Sequence, residues 1–269
     1  MKPRLWLLVL TVGIECLLGL FSPTHGATTE KPIRRTWDVA GVTREALLYG
    51  ITDAKAQPRP LVVIFHGHGG SMRNAAQAFQ IHELWPEAVV VYPQGLPTAG
   101  RLVDREGKQA GWQMDAGDHG DRDLLFFDAI LQQLRHDGWV NENQVFVAGH
   151  SNGGAFMYLL WAKRSDHITA YASSAAAWFG PYAELKPAKF LMLAGEKDDL
   201  VKYAWQRKTF DALRRNFDCG ELRRDENQCW VADSPSGAKI MAYVHPGAHT
   251  FPPEGPALIV NFFKASIRP

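Results

Sequence analysis

Short apolar runs recur along the chain at intervals that alternate with longer amphipathic stretches. Residues 61–65 (LVVIF), 88–92 (AVVVY) and 145–148 (VFVA) are apolar throughout and rich in β-branched residues, as expected of strands buried on both faces. Residues 168–173, 190–194 and 240–245 read as further strands. Helical spacing of apolar positions occupies residues 122–135, 152–163, 203–216 and 256–266. Near the start, residues 36–51 alternate apolar and polar and are broken by Gly41, which predicts a β-hairpin. Strands alternating with helices predict an α/β fold, a mostly parallel sheet with helices on both faces.

One segment breaks the alternation. Residues 94–120 (QGLPTAGRLVDREGKQAGWQMDAGDHG) are rich in glycine and charge and carry no clear period. Loops of this length inside a compact domain are usually functional. Trp112 is the residue least at home there, and its flat face suggests a platform for a substrate.

Composition adds two constraints. The chain has 269 residues, 46% hydrophobic, with a formal net charge of +1. Nothing in that balance points to nucleic acid or an anionic surface as partner. The first 26 residues stand apart: Lys2 and Arg4, an apolar stretch over 5–21, then small and turn-forming residues over 22–27. This is the layout of a signal peptide, so residues 27–269 are expected to form one catalytic domain, secreted or periplasmic, with no stable membrane span in its mature form. Beyond the leader the cysteines are Cys219 and Cys229. In an oxidising compartment a pair this close is expected to form a disulfide.

The chemistry gathers at three points. Gly149-His150-Ser151-Asn152-Gly153 reads G-x-S-x-G directly after a strand and before a helix, the context of a nucleophile elbow. A serine hydroxyl needs a base held by a carboxylate. The strand over 189–195 ends in Glu196-Lys197-Asp198-Asp199, where Asp198 is preferred to Asp199 as the acid. The last strand ends at His245, and His249 follows in a loop free to reach Ser151, so His249 is preferred as the base. Oxyanion donors are expected from the Asn152 amide and from the His68 amide in the His66-Gly67-His68-Gly69-Gly70 loop. The His-x-His of that loop could instead bind zinc, but no third ligand stands at matching spacing. No metal and no cofactor is expected. Trp112 and the Trp178-Phe179 pair, with Trp178 placed first, are the aromatic candidates for substrate binding.

These blocks together resemble the polyhydroxybutyrate depolymerase and feruloyl esterase group of secreted α/β-hydrolases. The resemblance rests on the hairpin with Arg44, PLVVIFHGHGG, VVVYPQG, GWQMDAGDHGDRDLLFFDAIL, AGHSNGGAFMY, LAGEKDDLV and GAHTFPP. It implies an α/β-hydrolase fold and a serine esterase in which Ser151, Asp198 and His249 act. It also implies that Gly111-Trp112 and the stretch from Asp121 to Asp123 lie near the substrate. Relatives often carry a proline where this chain has Asp199. The expected substrate is a feruloyl, aryl or short hydroxyacyl ester, including hydroxybutyrate oligomers or polymer, and not a long-chain lipid, because the 94–120 loop is polar. The sequence leaves open an acyltransferase using the same triad, or a non-catalytic binding protein on the same scaffold.

Overall fold

The computed structural model describes residues 31–51 and 57–267. The expected signal peptide lies outside the described residues. Twelve strands are described: β1 (Ile33–Val39), β2 (Val42–Tyr49), β3 (Arg59–Phe65), β4 (Val89–Pro93), β5 (Leu96–Pro97), β6 (Ala110–Gly111), β7 (Val140–His150), β8 (Ala170–Ser174), β9 (Lys189–Gly195), β10 (Arg223–Arg224), β11 (Trp230–Asp233) and β12 (Lys239–His245). The α-helices are α1 (Met72–Phe79), α2 (Ile81–Leu84), α3 (Arg122–His136), α4 (Asn152–Arg164), α5 (Tyr203–Asn216) and α6 (Gly255–Lys264).

Ten strands form one sheet in the order β1-β2-β4-β3-β7-β8-β9-β12-β11-β10. From β4 to β12 every neighbouring pair is parallel, and antiparallel strands close both edges. The apolar runs explain the centre. In β3, Leu61, Val63 and Phe65 face one apolar layer while Val62 and Ile64 face the other, as the two-residue period of a strand demands. Helices α3, α4 and α5 pack on the first layer, and α1, α2 and α6 on the second. Each fully buried aliphatic side chain contributes roughly 1.5–3 kcal/mol relative to exposure. Several elements go beyond the sequence reading: α1, capped by Ser71 whose Oγ accepts the Asn74 N–H, the short α2, the edge strands β10 and β11, and the small β5–β6 ribbon inside the long loop.

The expected Cys219–Cys229 disulfide is not formed; both thiols are free and buried. They stand ten positions apart in sequence, but the sheet separates them in space. Cys219, after α5, packs in the first layer, and Cys229, before β11, in the second. Burial raises both thiols, Cys229 to about 12, so neither is a ready nucleophile.

One buried ion pair ties the first hairpin to the long loop. Arg44 on β2 and Asp123 on α3 meet at 2.8 Å with both side chains wholly inaccessible. Arg44 also donates to the carbonyls of Arg122 and Gln94 and lies 4.3 Å over the Phe126 ring. The Asp123 carboxylate accepts the Gln113 N–H. The Asp121–Asp123 stretch, which the resemblance places near substrate, therefore anchors the loop through Asp123 in the protein interior. Breaking such a pair from one side strands a buried charge. Asp123→Ala is expected to lower unfolding free energy by about 3–5 kcal/mol, read from urea denaturation.

Candidate active site

Strand β7 delivers its last residues to the C-terminal edge of the parallel sheet and turns at once into α4. Ser151 sits at that turn with φ 54° and ψ −121°, a conformation costly for a residue with a side chain. The turn survives because its flanks leave no room for another arrangement. A Cβ on Gly149 would lie 2.2 Å from Gly153 O, and one on Gly153 would lie 2.3 Å from Phe65 O. The Ser151 N–H donates to Ser174 O at 2.8 Å, pinning the elbow to the end of β8.

Two further loops meet it. The Ser151 hydroxyl lies 2.8 Å from His249 Nε2, and His249 Nδ1 lies 2.8 Å from Asp198 Oδ2. With the proton on Nδ1, the chain of bonds runs from Ser151 Oγ–H to Nε2 and from Nδ1–H to the carboxylate. Asp198 is buried, whereas Asp199 is exposed. The Asp198 carboxylate also accepts the N–H groups of Leu200 and Val201 and the Gln206 Nε2 amide. Gln206 escaped sequence reasoning; one α5 turn of a polar side chain gives no signal of its partner. The acid and histidine loops are stitched together, since Glu196 N–H donates to His245 O and Lys197 N–H to Gly247 O. His245 itself is buried and accepts the Gly247 N–H at Nδ1.

Asn152 is the first residue of α4, so its N–H has no intrahelical acceptor. His68 lies with Ser151 and Asn152 along the same cleft. His66 is taken up by the scaffold: Nδ1–H donates to Gly67 O and Nε2 accepts the Gly95 N–H.

The cleft is open to solvent, and its walls include Leu102, Val103, Met114, Ala177, Phe179 and Leu200. Leu102, Val103, Phe179 and Leu200 are all exposed large apolar residues gathered on this cleft. Three expectations need correction here. Trp112 is no substrate platform: it is 0% exposed, donates Nε1–H to His66 O and stacks on Phe156. It plugs the long loop into the core. Trp178 is also buried, held by Nε1–H to Pro181 O, and its neighbour Phe179 is the aromatic that faces the cleft at 57% exposure. The 94–120 loop is polar on average, yet it presents Leu102 and Val103 to the cleft.

No protein-family model matches the chain. A putative esterase, NocK, from Nocardia uniformis subsp. tsuyamanensis is 26% identical over 88% of this chain and 79% of its own length. A probable feruloyl esterase C from Aspergillus clavatus is 31% identical over 66% of this chain and 60% of its own length. Among solved structures, an acetyl xylan esterase from Aspergillus awamori superposes with a TM-score of 0.65 at 12% identity, over 87% of this chain and 99% of that one. The fold is that of the α/β-hydrolases. Among the described residues no helix is long and apolar enough to cross a membrane.

His150, beside the nucleophile position, offers a test of the site's electrostatics. Desolvation, with the nearby His249 ring 5.2 Å away, lowers its pKa from the usual 6.5 to about 4. Burial depresses His66 and His245 in the same direction. Between pH 6.5 and 4 the unfolded chain thus binds more protons than the folded one, so stability falls as pH falls through that window. For His150 alone the loss is of order 2–3 kcal/mol. His150→Gln is expected to flatten the slope of unfolding free energy between those two pH values without abolishing it, as measured by urea denaturation at half-unit steps.

Proposed function

We propose that the protein is an exported serine carboxylic-ester hydrolase of feruloyl esterase or polyhydroxybutyrate depolymerase type. The observation that carries this reading is the unbroken relay from Ser151 Oγ through His249 to Asp198, at 2.8 Å in both steps. The similarity to esterases and a feruloyl esterase supports it, and the signal-peptide-like layout of residues 1–26 supports export.

In this reading Ser151 Oγ attacks the ester carbonyl carbon while its proton passes to His249 Nε2. Asp198 holds the ring in the tautomer that can accept that proton and stabilises the imidazolium. Negative charge gathers on the carbonyl oxygen, where the Asn152 and His68 amides and the N-terminus of α4 receive it. His249 returns the proton to the departing alkoxide, leaving an acyl-Ser151 ester. A water molecule, deprotonated by the same ring, then attacks the acyl carbon. The C–O bond to Ser151 breaks, Ser151 recovers its proton, and the acid is released. No step calls for a metal or cofactor.

The acyl group lies against Phe179, Leu102, Val103 and Leu200. A cleft with only these few apolar side chains along its wall suits an aryl or short hydroxyacyl group better than a longer alkyl chain. Kinetics on p-nitrophenyl esters from acetate to decanoate, beside methyl ferulate, tests the reading. Efficiency is expected to peak at or below about eight carbons. Phe179→Ala is expected to lower kcat/KM for methyl ferulate about 3- to 10-fold more than for the acetate, the scale of one aromatic contact. Efficiency rising steadily beyond eight carbons, or no turnover of any ester, contradicts it.

A further inference from the structure

Both residues proposed to supply the oxyanion amides have side chains fastened to the same long loop. Asn152 grips the backbone of residue 112 from both sides: its Oδ1 accepts the Trp112 N–H at 2.7 Å, and its Nδ2 donates to Trp112 O at 3.0 Å. His68 reaches the loop with its ring, Nε2–H donating to Asp104 Oδ2 at 3.1 Å. The His68 side chain is 7% exposed and that of Asp104 12%. The ring sits in a slot that only a glycine leaves open, because a Cβ on Gly111 would lie 2.7 Å from His68 Nδ1. One residue on, the Gly69 N–H donates to Ala110 O at 2.7 Å.

Asp104 is itself held firmly. It has a φ of 42°. Its carboxylate accepts the N–H groups of Lys108 and Gln109, and its carbonyl accepts those of Gly100 and Gly107. The Gln109 amide bond, above all, holds the carboxylate below its ordinary range. A charged acceptor fixed by its own loop makes a rigid post for an imidazole. Residue 104 also follows Leu102 and Val103, which line the cleft.

We infer that Asp104 is a positioning residue for the oxyanion hole, fixing the His68 backbone amide by holding the His68 ring. This rests on the proposed esterase reading and deepens it: the loop that walls the acyl group also sets one of the two donors. Catalysis by such donors depends on their being in place before charge develops, so a donor free to drift loses effect in the transition state more than in substrate binding.

The test uses the full chain and p-nitrophenyl acetate, with Asp104→Ala, Asp104→Asn, His68→Ala and the double variant. Asp104→Ala is expected to lower kcat about 10-fold, less than outright loss of an oxyanion donor, with KM within about twofold of wild type. Affinity for phenylboronic acid, which forms a tetrahedral adduct on an active-site serine, is expected to fall by the same factor. Asp104→Asn keeps an oxygen to accept from Nε2–H and is expected to recover most of the loss. The double variant is expected to lose no more than His68→Ala alone, because both changes cut one path. His68→Phe keeps the ring's bulk, deletes its hydrogen bond and carries the same expectation, which covers poor folding of Asp104→Ala. Wild-type kcat in Asp104→Ala, a loss confined to Tm or KM, or losses that multiply in the double variant would overturn the inference. Ser151→Ala separates the two levels: turnover surviving in it sinks the esterase reading itself. An inactive Ser151→Ala beside a fully active Asp104→Ala sinks only the role of Asp104.

Discussion

Everything at this site depends on one steric constraint, the close approach of the β7–α4 turn to the end of β3. Hydrogens alone fit where Gly149 faces Gly153 O and where Gly153 faces Phe65 O, at gaps of 2.2 and 2.3 Å for any added Cβ. That contact holds Ser151 in a backbone conformation it would not choose, and the cost is of order 1–3 kcal/mol. Burial on both faces of a sheet with fully apolar central strands offsets that cost many times over. The strained turn sets the hydroxyl beside His249 Nε2, and the helix that starts at once leaves its first amide, as any helix start does, without an intrahelical acceptor.

Around that fixed point, the parallel sheet brings together residues far apart in sequence. β9 and β12 are neighbours, so the loops that leave them carry Asp198 and His249 to the same edge. Backbone bonds between those loops set their spacing, and three N–H donors besides His249 satisfy the Asp198 carboxylate. A carboxylate so fully engaged has little freedom to turn away from the imidazole. The long 94–120 loop performs the complementary task on the other side of the serine. Trp112 locks it into the core, the Arg44–Asp123 pair locks its far end, and what remains at the surface is a short apolar wall.

How much of this the sequence carried depended on whether the signal was local. The central strands were legible because burial on both faces demands uninterrupted apolar runs, and the elbow because its glycines bracket the serine. The Ser151, His249 and Asp198 positions could be named from chain order along the strands, and the structure brings the three side chains together. What failed was inference from adjacency across the fold. Trp112 stood in a polar, glycine-rich stretch that concealed its role as a core plug. Trp178 is buried and its neighbour Phe179 is exposed on the cleft, and composition does not say which of the two faces it. Cys219 and Cys229 lie close in sequence but in different apolar layers. The eight-residue helix α1 does carry a helical period, with Met72, Ala75, Ala76 and Phe79 buried, but like the four-residue strand β11 it is too short to stand out along the chain. Asp104 and Gln206 hydrogen-bond to partners 36 and 8 residues away, which no local pattern reports.

The central claim is that Ser151 is the nucleophile and that His249 activates it. Reaction with a fluorophosphonate reports both without depending on the identity of the natural ester, since the reagent phosphonylates an activated serine hydroxyl and releases fluoride. Intact-mass analysis followed by peptide mapping is expected to show one adduct per chain, located on Ser151. The second-order rate of labelling is expected to fall at least about 100-fold in His249→Ala, as loss of a general base requires. An adduct on a different serine, or labelling of Ser151 at an unchanged rate in His249→Ala, would contradict the account.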